Sequence, residues 1–172
     1  MSDVAHKLVG IASSSSQLAA ENLAQRVNAP STCRVYDNYQ DLVHDPEVDI
    51  VYIATPHSHH YQNAMLALLA GKHVLCEKPL TVNTLQAKKL FEVAAQKRLF
   101  LMEGMWTRFQ PIKLEISRLI QNNAIGDVIR VIADNSLGVD PLTEFSPGDR
   151  LTRKELAGGA LLDCELLNES RP

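Results

Sequence analysis

Between residues 8 and 102, short apolar runs alternate with one-sided helical faces, and that alternation leaves few folds open to the chain. Ile50-Val51-Tyr52-Ile53-Ala54 is apolar on both faces, the pattern of a parallel strand covered by helices. Leu8-Val9-Gly10-Ile11-Ala12, His73-Val74-Leu75-Cys76 and residues 99–102 read as further strands. Ala20, Leu23, Ala24 and Val27 follow the first run at i, i+3, i+4 and i+7, one face of a helix that Pro30 ends. A short helix is expected at 39–43, a turn at Asp45-Pro46, and a helix over 59–70 with Gly71 as its C-cap. Asn83 caps another, with Gln86 at the capping-box distance and Ala87, Leu90, Phe91 and Ala94 on its face. Strands separated by helices predict an α/β fold with a parallel, doubly wound sheet.

After Trp106 the character changes. Pro111 starts a helix with Ile112, Ile116, Leu119 and Ile120 on one side, Gly126-Asp127 makes a turn, and 128–133 reads as a strand. The polar stretch 134–150 reads as a long loop, and Gly158-Gly159 precedes Ala160-Leu161-Leu162-Asp163.

Composition narrows the function classes. With 172 residues, 45% of them hydrophobic, the chain can bury a real core. A net charge of −3 gives no reason to expect nucleic acid. The longest apolar stretch, 64–70, is far too short to span a bilayer, and Met1-Ser2-Asp3 opens no secretory signal. Cys33, Cys76 and Cys164 form no CxxC and fit free thiols in a reducing compartment, so a cytoplasmic location is the expectation.

In an open α/β sheet, ligands bind at the carboxyl ends of the strands. Four such ends are expected on one rim: Ser13, residues 55–57, residues 77–79, and Glu103-Gly104. Pro79 restricts the residue before it, so Lys78 is a cation held extended at that rim, either a chemical group or a solvated loop lysine. Ser13 and Ser14 suit a ribose or phosphate, or simply cap a helix. His57, His59 and His60 cannot all converge on one ion, and no acidic or Cys ligand lies at helical spacing beside them, so no metal site is expected. No G-x-G-x-x-G occurs. The chain is therefore either no dinucleotide binder or lacks the first β-α unit of such a fold. A flavodoxin-like domain with the serines as its phosphate loop is a further alternative.

Residues 50–60, then Ala70-Gly71-Lys72-His73-Val74-Leu75-Cys76-Glu77-Lys78-Pro79-Leu80, resemble the core signature of the Gfo/Idh/MocA oxidoreductases. Residues 100–109 are similar to its branch of dimeric dihydrodiol and NADP-dependent D-xylose dehydrogenases, and 158–163 to the start of a second family signature. The resemblance implies a partial NAD(P)-binding Rossmann domain over 1–105 and the beginning of a C-terminal substrate and dimerisation domain over 106–172. It implies hydride transfer between NADP or NAD and a CH–OH group of a sugar or trans-dihydrodiol, in a parent that is a homo-oligomer, a dimer. By the same resemblance Lys78 is catalytic. Thr55, Pro56, His57, His60, Glu77, Lys78 and Pro79 lie on the cofactor side, with Ser13 and Ser14. Trp106, Arg108 and Asp163 lie near substrate, and the Lys78–Pro79 bond is often cis in the family.

Three departures qualify this. The glycine unit is missing. After Asp163 the family continues to a Gly and a Tyr or His proton donor, whereas this chain reads Cys164-Glu165-Leu166-Leu167. Serines also stand where NADP-preferring members often carry Arg. The expectation is a chain shortened at both ends relative to the family, with little turnover and weak cofactor affinity. The alternative is a catalytically inactive isoform acting as a binding or oligomerisation module.

Overall fold

The structure is a computed structural model that describes residues 5–132, 134, 141–146 and 148–163. It is Rossmann-like α/β, and the strand pairs among the described residues are parallel. Strand β1 (Gly10–Ala12) leads into helix α1 (Gln17–Arg26), and β2 (Arg34–Tyr36) into α2 (Tyr39–His44). Then β3 (Ile50–Ile53), α3 (His57–Leu69), β4 (His73–Cys76), α4 (Thr84–Lys97) and β5 (Leu101–Glu103) alternate. A 3-10 turn (Trp106–Phe109) and α5 (Pro111–Gln121) follow, then the single turns α6 (Pro141–Glu144), Lys154–Leu156 and α7 (Ala160–Asp163).

The helix ends follow the local chemistry. The Ser16 and Asn83 side chains accept from Ala19 N and Gln86 N, satisfying N–H groups that the first turn leaves open. The 59–70 helix begins two residues early, at His57, with Pro56 as its cap. Just beyond its C-cap, Gly71 takes φ +83°, a conformation that costs other residues a steric penalty.

Four expectations need correction. The strand β2 was not read, because its three residues carry a single apolar side chain between Arg34 and Tyr36. The strand expected at 99–102 lies at Leu101–Glu103. The run 128–133 forms no strand over its described residues, 128–132; Ala133 lies outside them. A β-rich sequence becomes a strand only where a partner takes its backbone groups, and residues 128–132 have no strand partner among the described residues. Within the expected loop 134–150, residues Pro141–Glu144 form one helical turn.

The parallel sheet is also in two pieces, β1-β2 and β3-β4-β5. Between them, the Asp45 carboxylate accepts from Arg34 Nη1 (2.6 Å), Tyr36 Oη (2.7 Å) and Glu47 N (2.9 Å), while its carbonyl accepts from Lys72 Nζ (2.8 Å), just ahead of β4. The hydrogen bond from Tyr36, helped by Glu47 N and Arg34, holds the Asp45 carboxyl below the usual range.

The core lies between the larger sheet and α3 and α4, where Leu68, Val74, Cys76 and Leu90 are fully buried. Right-handed crossovers that advance in one direction place α3 and α4 on one face of β3-β4-β5. Ile53, Val74 and Cys76 point into that layer, whereas Ile50 and Tyr52, on the other face, are 51% and 58% exposed. Helices therefore cover this sheet on one side only among the described residues.

Candidate functional site

Three strand ends meet at the residues after β4. Glu77 N donates to Ile53 O (2.8 Å) and Gly104 N to Cys76 O (2.6 Å), so the β3-β4-β5 ladder runs into the loop. A Cβ on Gly104 would lie 3.3 Å from Cys76 O and 3.4 Å from Glu77 Cα, so a side chain there would push the neighbouring backbone by a few tenths of an ångström. The Lys78–Pro79 bond is cis. Leu80 N then donates to Glu103 Oε1 (2.7 Å), anchoring the far side of the corner to β5.

Glu77 accepts from the Tyr52 hydroxyl at one oxygen and from Lys78 N at the other (3.2 Å). Burial, then the hydrogen bond to Glu77, pushes the Tyr52 phenol up to about 12. The residue as a whole remains 58% exposed. The Cys76 thiol is pushed up to about 12, first by burial and then by Glu103 and Glu77, so it is an inert core thiol at neutral pH.

The Lys78 ammonium donates to the carbonyl of Asp163 and lies 3.2 Å from its carboxylate Oδ1; their side chains are 14% and 20% exposed. Asp163 Oδ1 also lies 3.6 Å from His57 Nε2 and 3.8 Å from Arg150 Nη1. His57 Nδ1 is 2.9 Å from Ala157 O and must donate to it. Burial lowers the His57 pKa below its ordinary value. The neutral tautomer with Nδ1–H fits that shift better than an ion pair at 3.6 Å does, so Lys78 and Arg150 supply the positive charge around Asp163. Residues 150–163 thus close over the corner.

Thr55, His57, His60, Glu77, Lys78, Pro79 and Asp163 therefore come together, with Pro56 as the cap of α3. His60 is fully buried, with both ring nitrogens on backbone carbonyls. Ser13 and Ser14 stand at the end of β1, in the other sheet. The Ser13 hydroxyl bonds to Ser15 (2.8 Å), and Ser14 Oγ donates to Tyr39 Oη (3.2 Å), while Ser16 caps the helix. Trp106 and Arg108 occupy the 3-10 turn after Gly104. Trp106 lines a groove of about 460 Å³ along α5 with residues such as Gln110, Ile112 and Ile116, none of which belongs to the Lys78 corner. Among the described residues no group of His, Cys, Asp and Glu could hold a metal ion, and no helix is long and apolar enough to cross a membrane.

The sequence places Glu103 on the rim only as a strand end, and it gives Tyr52 and Arg150 no place in the site. A signal existed for Tyr52: it faces Leu75 across the ladder, and Glu77 lies two residues on, on the same face. No local pattern marks Arg150, which reaches Asp163 through loop folding.

The profile of the Gfo/Idh/MocA oxidoreductases, described as an oxidoreductase family with an NAD-binding Rossmann fold, matches residues 1–105. A D-xylose 1-dehydrogenase (NADP(+)) of Hypocrea jecorina is 50% identical over 165 residues, covering 94% of this chain and 42% of that enzyme. A trans-1,2-dihydrobenzene-1,2-diol dehydrogenase of Danio rerio is 43% identical over 162 residues, covering 92% of this chain and 44% of that enzyme. The chain thus spans less than half the length of these curated relatives. A crystal structure of a 3-ketoreductase from Actinomadura kijaniata with NADP superposes with a TM-score of 0.63 at 32% identity, over 70% of this chain and 37% of that one. With the profile over more than half its length, and with strand ends, helices and Glu77-Lys78-Pro79 corner in place, the chain belongs to the Gfo/Idh/MocA family of oxidoreductases.

Proposed function

We propose that this chain carries the nicotinamide-facing corner of an NAD(P)-dependent dehydrogenase that moves hydride to or from a CH–OH group of a sugar or trans-dihydrodiol. The observation that carries the reading is the Lys78 ammonium, held beside the Asp163 carboxylate at 3.2 Å where three parallel strands end. The residues present fit one end of the cofactor. Thr55, Pro56, His57, Glu77, Lys78 and Pro79 line one corner, and Gly104 packs the end of β5 against Cys76 and Glu77 there. The pyrophosphate end fits less well: the sequence has no glycine-rich turn, and Ser13 and Ser14 sit in a separate sheet. NADP is favoured over NAD by the relatives' chemistry, while Ser13 and Ser14 bring no positive charge to a 2′-phosphate.

When bound, the nicotinamide supplies the hydride acceptor. Lys78 Nζ holds the reacting oxygen by a hydrogen bond and stabilises the negative charge that develops on it as hydride departs. Asp163 orients the ammonium, and Glu77, fixed by Tyr52 and Lys78 N, sets the loop. Trp106 and Arg108 border the substrate side in this reading, and residues 106–172 open a second domain that completes the site. In a nicotinamide fluorescence titration, the chain is expected to bind NADPH more weakly than micromolar, with no sugar-dependent NADP reduction. Micromolar affinity or measurable turnover overturns the expected weakness. In a longer relative carrying the same corner, exchanging the Lys78 counterpart for Met is expected to lower kcat by 10²–10⁴-fold, the scale of a lost proton-handling group. Unchanged kcat overturns the role of Lys78.

A second reading, a non-catalytic binding or oligomerisation module, is favoured by one observation. Helix α5 buries no residue, and Ile129, Val131 and Ile132 are 96%, 79% and 85% exposed. Size-exclusion chromatography with and without a full-length relative separates the two readings.

A further inference from the structure

His60 lies one turn into α3 and has no exposed surface. Its Nδ1 is 2.7 Å from Pro79 O and its Nε2 is 2.8 Å from Thr55 O. Both partners are backbone carbonyls, which only accept. A neutral imidazole has one N–H, and its other nitrogen would press a lone pair against a carbonyl oxygen. Flipping the ring would replace both contacts by C–H groups and leave two nitrogens of a fully buried ring without partners, a costly arrangement. Only the doubly protonated ring satisfies both carbonyls.

We propose that His60 is a positioning residue that donates from both ring nitrogens and braces the loop after β3 to the Lys78–Pro79 corner after β4. Thr55 O and Pro79 O belong to different loops, and no backbone bond of the ladder joins them beyond Glu77 N to Ile53 O. The brace therefore fixes where the backbone of Lys78 sits, and its functional meaning rests on the proposed role of Lys78. Charged and titratable groups from several elements border the corner. On its own helix the neighbouring ring is His57, with centroids 5.7 Å apart, which burial disfavours as a second cation. Glu77 and Lys78 come from the loop after β4, Glu103 from β5 through Leu80 N, and Arg150 and Asp163 from the segment that closes the corner. Charge-assisted hydrogen bonds are the condition under which a buried charge persists.

The test uses the intact chain. Histidine ring 15N NMR, with His60 assigned by its disappearance in His60→Gln, is expected to show protons on both His60 nitrogens at neutral pH and on one His57 nitrogen. A lone pair on either His60 nitrogen overturns the donor assignment. For positioning, amide exchange of Leu80 is expected to rise about tenfold in His60→Gln, which keeps a single donor group, while the Leu90 amide in α4 is unchanged. Equal acceleration of both amides makes the residue merely structural and overturns the positioning role. If His60→Gln does not fold, the wild-type chain decides. The ring 15N signals of the wild-type chain, with His60 assigned through His60→Asn instead, then test both donors, and a lone pair on either nitrogen overturns the brace. None of these readouts involves a cofactor, so the brace and the dehydrogenase reading fail separately.

Discussion

The β3-β4-β5 unit and helix α5 contain the same kinds of apolar side chain and use them differently. In the first, Leu68, Val74, Cys76 and Leu90 are completely buried between one sheet face and two helices. In the second, Ile112, Leu114 and Ile116 are 66%, 60% and 49% exposed on a helix that is strongly amphipathic in sequence. The Lys78 corner grows out of the first region, and the two domain-forming patterns in the sequence thus have different outcomes. An amphipathic face states that a helix needs a partner; it does not supply one.

The largest effect expected from this contrast is in the core. Leu90→Ala should cost about 2–5 kcal/mol in denaturant unfolding, the usual range for an emptied leucine site, while Ile116→Ala should stay within about 0.5 kcal/mol. Comparable losses at both sites would mean that α5 packs in solution, and would erase the contrast. Next is Gly104→Val, which should cost about 1–3 kcal/mol, because its branched side chain must enter the space beside Cys76 O and Glu77. A thermal shift near zero would show that the corner yields easily and holds Lys78 loosely.

Acid should act on the junction between the two sheets. Asp45, whose folded pKa is lowered by Tyr36, Glu47 N and Arg34, contributes stability that is present above its unfolded pKa of about 3.9 and is lost as pH falls through the lower folded value. Thermal unfolding followed below pH 4 should therefore show a falling Tm, with the fall reduced in Asp45→Asn. An identical acid profile in that variant would remove Asp45 as the link. The smallest stability effect is expected at the exposed run: Ile129→Lys should leave Tm within error yet reduce self-association in analytical ultracentrifugation, since it places charge on a β-rich unpaired segment. A large drop in Tm there would show that the run is packed.

Much of the α/β part was legible because its signals are local. Short apolar runs marked β3 and β4, Asn83 and Gln86 marked the start of α4, and Gly71 marked the end of α3. Chain order then put Thr55, Glu77 and Gly104 on one rim. The site was less legible where its partners are far apart in sequence. Asp163 was read as a substrate-side residue from a motif, and its place against Lys78, 85 positions away, depends on how residues 150–163 fold back. His60 was read as a cofactor-side residue; its two carbonyl partners come from separate loops, so no spacing announces them.

The sequence by itself determined the strands and helices of residues 50–103, the cation before Pro79 and the absence of a glycine phosphate loop, because each depends on near neighbours in the chain. Tertiary structure alone decided that the sheet divides into two pieces, that one face of β3 is uncovered among the described residues, that 128–132 forms no strand, and that Lys78 meets Asp163. Pairing, burial and charge contact are properties of segments brought together in space, and no local pattern states whether the partner is there.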